Sequence, residues 1–395
     1  MPSNESTLLI PETSDPLIAI DGCFLTDFPH SSLATYLRSL LKEWQKLERP
    51  PRILLCIPQL PTDLCDPVLF APNVRLVLPD CPCKPSSRFR AVLKWHQWHI
   101  PLLLRKYSPD LYFSPFHLTP QFPFGMTMVS TIHDLCFLTE PPFSLGSLVH
   151  RFHIMTACIR AKKLVCVSKY TAAVLNHWWP RAGKRSVVVQ NGYDGLTMSE
   201  EEATRILSQT SGKLIPRAFF IWIGIPSHRK NIKGLMDSFA LYLKNGSVNQ
   251  QLVMVAPERS HGILRKLALE RGIEHSLVLL SNINESTRDA LYRCATALVF
   301  PSHCEGFGYP VLEAMMQGCP PISRKQGPSR EIVGNSYPLV EKIEPAEFAN
   351  AMIHAAALTA SERLETSSLL IKRASQFSVK SMANKTLRVI MDAVN

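Results

Sequence analysis

Residues 305–315 read EGFGYPVLEAM, from Glu305 to Met315, and how this stretch folds decides how the rest of the chain is read. As one continuous helix it would set Glu305 and Glu313 within about 80° of each other, but Gly306, Gly308 and Pro310 argue against that. The preceding ATALVFPS has the composition of a strand, and Pro310 suits the first turn of a helix. Residues 302–309 are therefore a strand-to-helix loop at the carboxyl edge of a sheet, where open α/β proteins bind ligands. Glycines at 306 and 308 permit close backbone approach, and the helix start turns free N–H groups and about half a positive charge toward the loop. Glu305 belongs to the loop and Glu313 to the first turn of the helix, whose side chains lean toward its N-terminus. The two carboxylates then converge on one ligand. Carboxylates accept well from paired hydroxyls, so a ribose at one and a hexose at the other fit the chemistry. The plainer alternative is a Glu313 that only complements the helix dipole and a solvated Glu305.

A second strand-loop-helix turn bears on that choice. In IWIGIPSHRKNIKGL, Gly224 follows a strand, and Arg229, Lys230 and Lys233 stand at the entrance to a helix. Cations at a helix start are electrostatically unfavourable unless an anion sits there, and free amides beside cations suit a diphosphate. The helix itself is well patterned, with Ile232, Leu235, Met236, Phe239 and Leu243 at i, i+3, i+4, i+7 and i+11.

Working outward, short β-branched or apolar runs recur at LIAID, RILLCI, VRLVL, DLYFS, MVSTI, KLVCV and SVVV, with helical segments such as 31–47 between them. The pattern restarts after residue 216 with RAFFIWIG, QLVMVAP, SLVLL and ATALVFPS. Such alternation predicts an α/β fold with two doubly wound parallel sheets, one after the other. The polar stretch from Asn191 to about Pro216 reads as the junction. The expected domains are 1–197, 198–375 and a terminal helix over 376–395 packed back on the first. The chain has 395 residues, more than one core usually supports, and 46% hydrophobic residues for each interior.

No apolar run approaches the roughly 18 residues of a spanning helix, and MPSNESTLLIPETSD lacks a signal core, which places the protein in the cytoplasm. The eleven cysteines include Cys81 and Cys83 in CPC but no paired CxxC sets, so reduced thiols and no metal site are expected. The net charge is +11. The clearest basic cluster interleaves Arg88, Arg90, Lys94, Arg105 and Lys106 with Phe89, Trp95 and Trp98. It reads either as an amphipathic helix with snorkelling cations or as peripheral membrane contact, ahead of nucleic acid.

EGFGYPVLEAM and GIPSHRKN together resemble the retaining GT-B glycosyltransferases of glycosyltransferase family 4, whose signature is two glutamates separated by seven residues. STIHDL, LVCVSKYTAAVL and VVVQNGYD are similar to further segments of that family, and ASQFSVKSMANKTL to its C-terminal helix. The resemblance implies two Rossmann-like domains facing an interdomain cleft, crossed by a C-terminal helix. It implies that Glu313 binds the nucleotide ribose, and that Glu305 and the backbone of Gly306, Phe307 and Gly308 hold donor-sugar hydroxyls. Arg229 and Lys230 would neutralise the departing diphosphate, with Gly224 and Lys233 at the same turn. His133 would face the donor sugar, with Asp134 beside it.

The activity so implied is retaining transfer of a hexose, mannose from GDP-mannose being favoured, to a saccharide or lipid-linked saccharide in cell-surface polysaccharide synthesis. No cofactor or metal is implied. One departure stands out: DGCFLTDFPHSSLATYLRSL has no glycine after Gly22, where the family usually carries a Gly-rich turn. That leaves room for a non-catalytic nucleotide-sugar-binding scaffold. A nucleotide-sugar isomerase is a further alternative. A glycoside hydrolase could use two acids but has no use for Arg229 and Lys230.

Overall fold

The computed structural model describes residues 15–27, 29, 31–60, 66–80, 88–121, 125–138, 145–210, 214–246 and 250–394; Cys81 and Cys83 lie outside them. The chain forms two compact units, one running to Gly192 and resuming at Val379, the other comprising Tyr193–Ser378.

The first unit holds β1 (Leu17–Asp21), β2 (Arg52–Cys56), β3 (Val74–Val77), β4 (Leu111–Ser114), β5 (Thr127–Ile132), β6 (Lys163–Cys166) and β7 (Ser186–Val188). They form one parallel sheet in the order β3-β2-β1-β4-β5-β6-β7. Ile18 pairs with Ile53 on one side and Leu111 on the other. The strand order reverses between β1 and β4, so the crevice at the carboxyl ends of those strands is this unit's expected ligand position. The helix Ser32–Trp44 begins at Ser31, whose hydroxyl accepts from Ala34 N at 3.2 Å. A serine hydroxyl in this position satisfies one of the free amides of the helix start. The helix Val379–Val394 buries Met382, Ala383, Thr386, Val389, Ile390 and Ala393. Its Ala383 carbonyl accepts from Trp44 Nε1 at 2.9 Å. Full burial of each large aliphatic on this face contributes about 1.5–3 kcal/mol relative to exposure.

The second unit holds β8 (Phe219–Ile223), β9 (Gln251–Val255), β10 (Leu277–Leu280), β11 (Ala297–Phe300) and β12 (Pro321–Ser323). Its parallel sheet has the order β10-β9-β8-β11-β12, which reverses between β8 and β11. All strands named from the sequence are present. β12 was not among them, because PIS is too short and starts on a proline, and only pairing with β11 makes it a strand.

Part of the expected polar junction is a helix instead. Glu200–Thr210 carries Glu200, Glu201 and Glu202 in its first turn, where acids complement the dipole, and buries Ala203 and Leu207 one turn apart. Among the described cysteines, 23, 56, 158, 166, 294 and 319 are free and buried, as expected for reduced thiols; Cys136 and Cys304 are not free thiols.

Candidate active site

The loops that follow β8 and β11 leave adjacent strands at the reversal of the second sheet. After β11 the chain runs through 301–307 to Gly308, whose φ of 98° lies in the left-handed region that favours glycine. Gly308 caps the helix Tyr309–Met316, with Pro310 in its first turn. This is the loop-then-helix arrangement read from the sequence, with Glu305 in the loop; Glu313, expected in the first turn, falls in the second because the helix already starts at Tyr309. After β8 come Gly224, a short 3₁₀ turn at His228–Lys230, and Asn231 with φ 51°, whose side chain caps the helix Ile232–Lys244. A side chain on Gly224 would crowd the Trp222 indole at 3.3 Å.

The two loops are joined. His303 N donates to the Arg229 carbonyl at 2.8 Å, Arg324 Nη1 donates to the His303 carbonyl at 3.0 Å, and the His228 and His303 rings stack 5.8 Å apart. Across this junction Lys230 Nζ donates to Glu305 Oε1 at 2.6 Å, and Arg229 Nη1 to Glu305 Oε2 at 3.3 Å. The Lys230 and Glu305 side chains are 10% and 12% exposed, so the pair is neither solvated nor sealed. Lys230 Nζ also stands 4.7 Å from the centre of the Phe300 ring, a cation–π contact that favours its charge.

Arg229, Lys230 and Glu305 thus form one cluster. Lys233 is exposed and takes no part in these ion pairs among the described residues. Phe307 is buried, with its ring edge-on to Tyr309 and Phe377, so it walls the loop and leaves only its backbone for a ligand.

Glu313 sits in a second group. Its Oε2 accepts from Tyr292 OH at 3.1 Å, and its Oε1 lies 3.5 Å from Arg288 Nη1. Burial pushes the Glu313 carboxyl above the usual range, while the Arg288 charge and the Tyr292 hydroxyl pull it back. Neither Arg288 nor Tyr292 was singled out from the sequence. Their i, i+4 spacing in STRDALYRC, just before the β11 run, was the available signal.

In the first unit, His133 follows β5 directly. Its Nε2–H donates to the Pro115 carbonyl at 2.7 Å, and its ring meets Tyr36 edge-on at 4.8 Å. Burial holds this imidazole below its ordinary pKa, so it is neutral at pH 7, with Nδ1 as an acceptor. Asp134 Oδ1 accepts from Cys136 N at 3.2 Å and so helps to shape its own turn.

The reversal point of the first sheet holds a group that the sequence did not reveal. Asp21, fully buried at the end of β1, accepts from Cys23 N at 3.1 Å, Trp95 Nε1 at 3.0 Å and Tyr112 OH at 3.2 Å, and meets His96 Nε2 at 2.8 Å. Trp95 and His96, consecutive in sequence, both reach it because the helix widens to a π-turn over Trp95–His99. Within the basic segment Trp95 is thus a core residue, as on the buried face of an amphipathic helix, and Lys106 is paired with Asp80 at 2.8 Å. Lys94, Trp98, Leu102 and Arg105 remain exposed, at i, i+4, i+8 and i+11; the side chains of residues 88–90 lie outside the described ones.

Comparison with known proteins agrees with these two folds. Residues 207–373 match the model for glycosyl transferases group 1, and residues 33–194 that for Glycosyltransferase Family 4. O-antigen chain mannosyltransferase B of Escherichia coli is 25% identical over 239 residues, covering 59% of this chain and 61% of that protein. O-antigen chain mannosyltransferase RfbU of Salmonella typhimurium is 25% identical, covering 60% and 63%. The matches thus span less than two thirds of these relatives' lengths.

Among solved structures, HepE of Anabaena, crystallised with UDP and glucose, superposes with a TM-score of 0.71 at 18% identity, covering 95% of this chain and 100% of that one. The sucrose-phosphate synthase of Thermosynechococcus elongatus gives a TM-score of 0.76 at 17% identity, covering 95% and 98%. At such identities the structures speak for the fold alone, which is GT-B. With both of its sheet units matched by the family's domain models, the chain belongs to family 4 of the GT-B glycosyltransferases.

Proposed function

We propose that this protein transfers a hexosyl group, with mannose the favoured sugar and GDP-mannose the favoured donor, to a saccharide or lipid-linked saccharide in cell-surface polysaccharide synthesis. The observation that carries the reading is the meeting of Lys230 and Arg229 with Glu305 at the strand reversal of the second sheet. A diphosphate needs the two cations, and a sugar hydroxyl needs the carboxylate. Glu313, in the second turn of the helix Tyr309–Met316, takes the ribose. The mannose preference draws on the O-antigen mannosyltransferases among the relatives.

In this mechanism the bond from the anomeric carbon to the diphosphate oxygen breaks while Lys230 and Arg229 stabilise the charge that develops there. The acceptor hydroxyl forms the new bond on the same face, and its proton passes to the departing phosphate oxygen. Glu305 holds the sugar in register and His133 offers a neutral hydrogen-bonding ring, so the protein positions the reactants and supplies no nucleophile.

The test is a panel of nucleoside diphosphate sugars with lipid-linked and free saccharide acceptors. Acceptor-dependent release of nucleoside diphosphate is expected, strongest with GDP-mannose, with the anomeric configuration of the product matching that of the donor. Inverted product would overturn the retaining mechanism. Binding of a nucleotide sugar without turnover across the panel would favour the scaffold reading. That reading draws on the end of β1, where Gly22 leads into a short helix at Cys23–Asp27 in place of a Gly-rich turn.

The stripe Lys94, Trp98, Leu102 and Arg105 supports peripheral contact with an anionic membrane as part of this reading. From residue 141 to 192 the same unit carries eight Lys and Arg and no Asp or Glu. Flotation with vesicles rich in acidic phospholipid should recover the protein at low salt and lose it as ionic strength rises. Trp98→Ala with Arg105→Ala is expected to weaken vesicle binding by at least tenfold, a loss of roughly 1 kcal/mol for the cation with the tryptophan's inserted area in addition. Unchanged flotation of the double variant would exclude this stripe.

A further inference from the structure

We propose that Arg288 is a positioning residue of the donor site: it holds the Glu313 carboxylate as an anion, oriented so that each oxygen keeps a lone pair for the vicinal hydroxyls of a ribose. The inference rests on the reading of Glu313 as the ribose acid and adds to it a residue which that reading does not contain.

The geometry assigns one protein partner to each oxygen of Glu313. Tyr292 OH donates to Oε2 at 3.1 Å, and Arg288 Nη1 faces Oε1 at 3.5 Å. A carboxylate offers about four lone-pair sites, so one on each oxygen is left, which is the pattern a cis-diol fills. Arg288 is itself pinned. Its Nη2 donates to Tyr193 OH at 2.8 Å and to Asp289 Oδ1 at 3.0 Å, and its Nε donates to Asp289 Oδ1 at 3.1 Å. Its guanidinium lies 5.6 Å from the centre of the Tyr193 ring. A cation fixed on three sides by protein groups stays beside Glu313 and does not swing to the ligand's phosphates.

The charge balance around Glu313 gives Arg288 its work. The groups that act on it are Arg288, Asp289, Glu285 and Tyr292 from the helix Glu285–Cys294, with Tyr193 joined to Arg288 and Asp289. Burial and the two acids favour a protonated Glu313, and a protonated carboxyl has lost one of the acceptor sites that the diol needs. Arg288 opposes all three. Without it, Glu313 takes up its proton at a higher pH, and ribose binding then fails on the acid side while surviving on the basic side.

Calorimetric binding of GDP and UDP to the full chain, from pH 5.5 to 8.5, tests this with Arg288→Met, Arg288→Lys and Glu313→Gln. Variants are compared at each pH, so the titration of the nucleotide cancels. Arg288→Met is expected to bind about tenfold more weakly than the wild type at pH 6 and within about threefold of it at pH 8.5, because affinity on the acid side falls tenfold for every pH unit by which the Glu313 midpoint rises. Arg288→Lys should keep the wild-type profile, and Glu313→Gln should be weak at every pH. An Arg288→Met profile parallel to the wild type, whether equally tight or uniformly weaker, overturns the proposal.

The 2′,3′-dideoxy nucleoside diphosphates separate this from failure of the underlying reading. If the wild type binds them as tightly as the ribonucleotides, Glu313 is not the ribose acid. A carbon-13 titration of the Glu313 carboxyl, wild type against Arg288→Met, reads the effect of Arg288 without any ligand. Identical midpoints there overturn the Arg288 role on its own.

Discussion

Lys230→Ala is expected to lower kcat/KM for nucleotide-sugar turnover by about 10²- to 10³-fold, the loss that follows when one preorganised donor to a developing oxyanion is removed. The ammonium is placed for that work twice over, by Glu305 Oε1 at 2.6 Å and by the face of Phe300 at 4.7 Å. The expected cost in stability is smaller, about 1–3 kcal/mol, because Arg229 remains at 3.3 Å to compensate the Glu305 charge. Activity and folding are therefore separable in this variant: circular dichroism should be unchanged while turnover collapses. Glu305→Ala removes the common partner of both cations and should lose a similar factor. Because the two residues act through one contact, the double variant should be little worse than either single one. Strict multiplication of the two effects would mean that the Lys230–Glu305 contact positions neither residue for its part, and turnover within about threefold of the wild type in both variants would remove the cluster from the mechanism altogether.

What made this cluster legible in the sequence is that each of its parts is local. A strand, a glycine, a loop residue and a helix start follow one another within about a dozen positions, and parallel-sheet topology carries two such turns to one edge without any further information. LIAID and FFIWI were legible for the same reason, since an unbroken apolar run bounded by turn residues is a strand buried on both faces.

Asp21 was not legible, because its partners Trp95, His96 and Tyr112 are 74, 75 and 91 positions away. The π-turn that brings two of them inward leaves no composition signal. The interleaving of Trp95 with cations left both an amphipathic helix and a membrane contact open, and the packing of that indole into the first unit's core is supplied only by the fold. Arg288 is intermediate: its i, i+4 relation to Tyr292 is written in the helix, but its relation to Glu313 depends on where β11 carries the chain.

The second large effect concerns the first unit. Asp21→Ala is expected to destabilise it by about 3–5 kcal/mol, the range found when one member of a buried, hydrogen-bonded charged group is deleted. The substitution leaves Cys23 N, Trp95 Nε1 and Tyr112 OH without their acceptor and His96 Nε2 without its partner in the buried core of the unit. Burial by itself pushes the Asp21 carboxyl up, yet His96, Trp95 and the Cys23 amide together bring it below the usual range. The same negative charge, added to burial, drives the Cys23 thiol and the Tyr112 phenol well above theirs.

A carboxyl whose folded pKa is depressed contributes stability that is present above its unfolded value, near 3.9, and is lost as pH falls through the folded one. The wild type should therefore shed part of its stability only below about pH 4. Asp21→Asn separates charge from hydrogen bonding. His96 Nδ1 already faces the Val92 carbonyl at 2.7 Å and must donate to it, so a neutral ring leaves Nε2 to accept from the new amide. That variant should keep most of the bonds, lose nearer ~1 kcal/mol, and lack the Asp21 carboxyl's own contribution to acid sensitivity.

Urea unfolding followed through tryptophan fluorescence, which includes Trp95 beside the substituted residue, resolves the first unit from the second if their transitions differ. One of two midpoints falling in Asp21→Ala, with nucleoside diphosphate binding intact, would assign the network to the architecture of the first unit. An unmoved midpoint would mean that four buried partners find other acceptors at no cost, which the closed geometry around Asp21 does not allow.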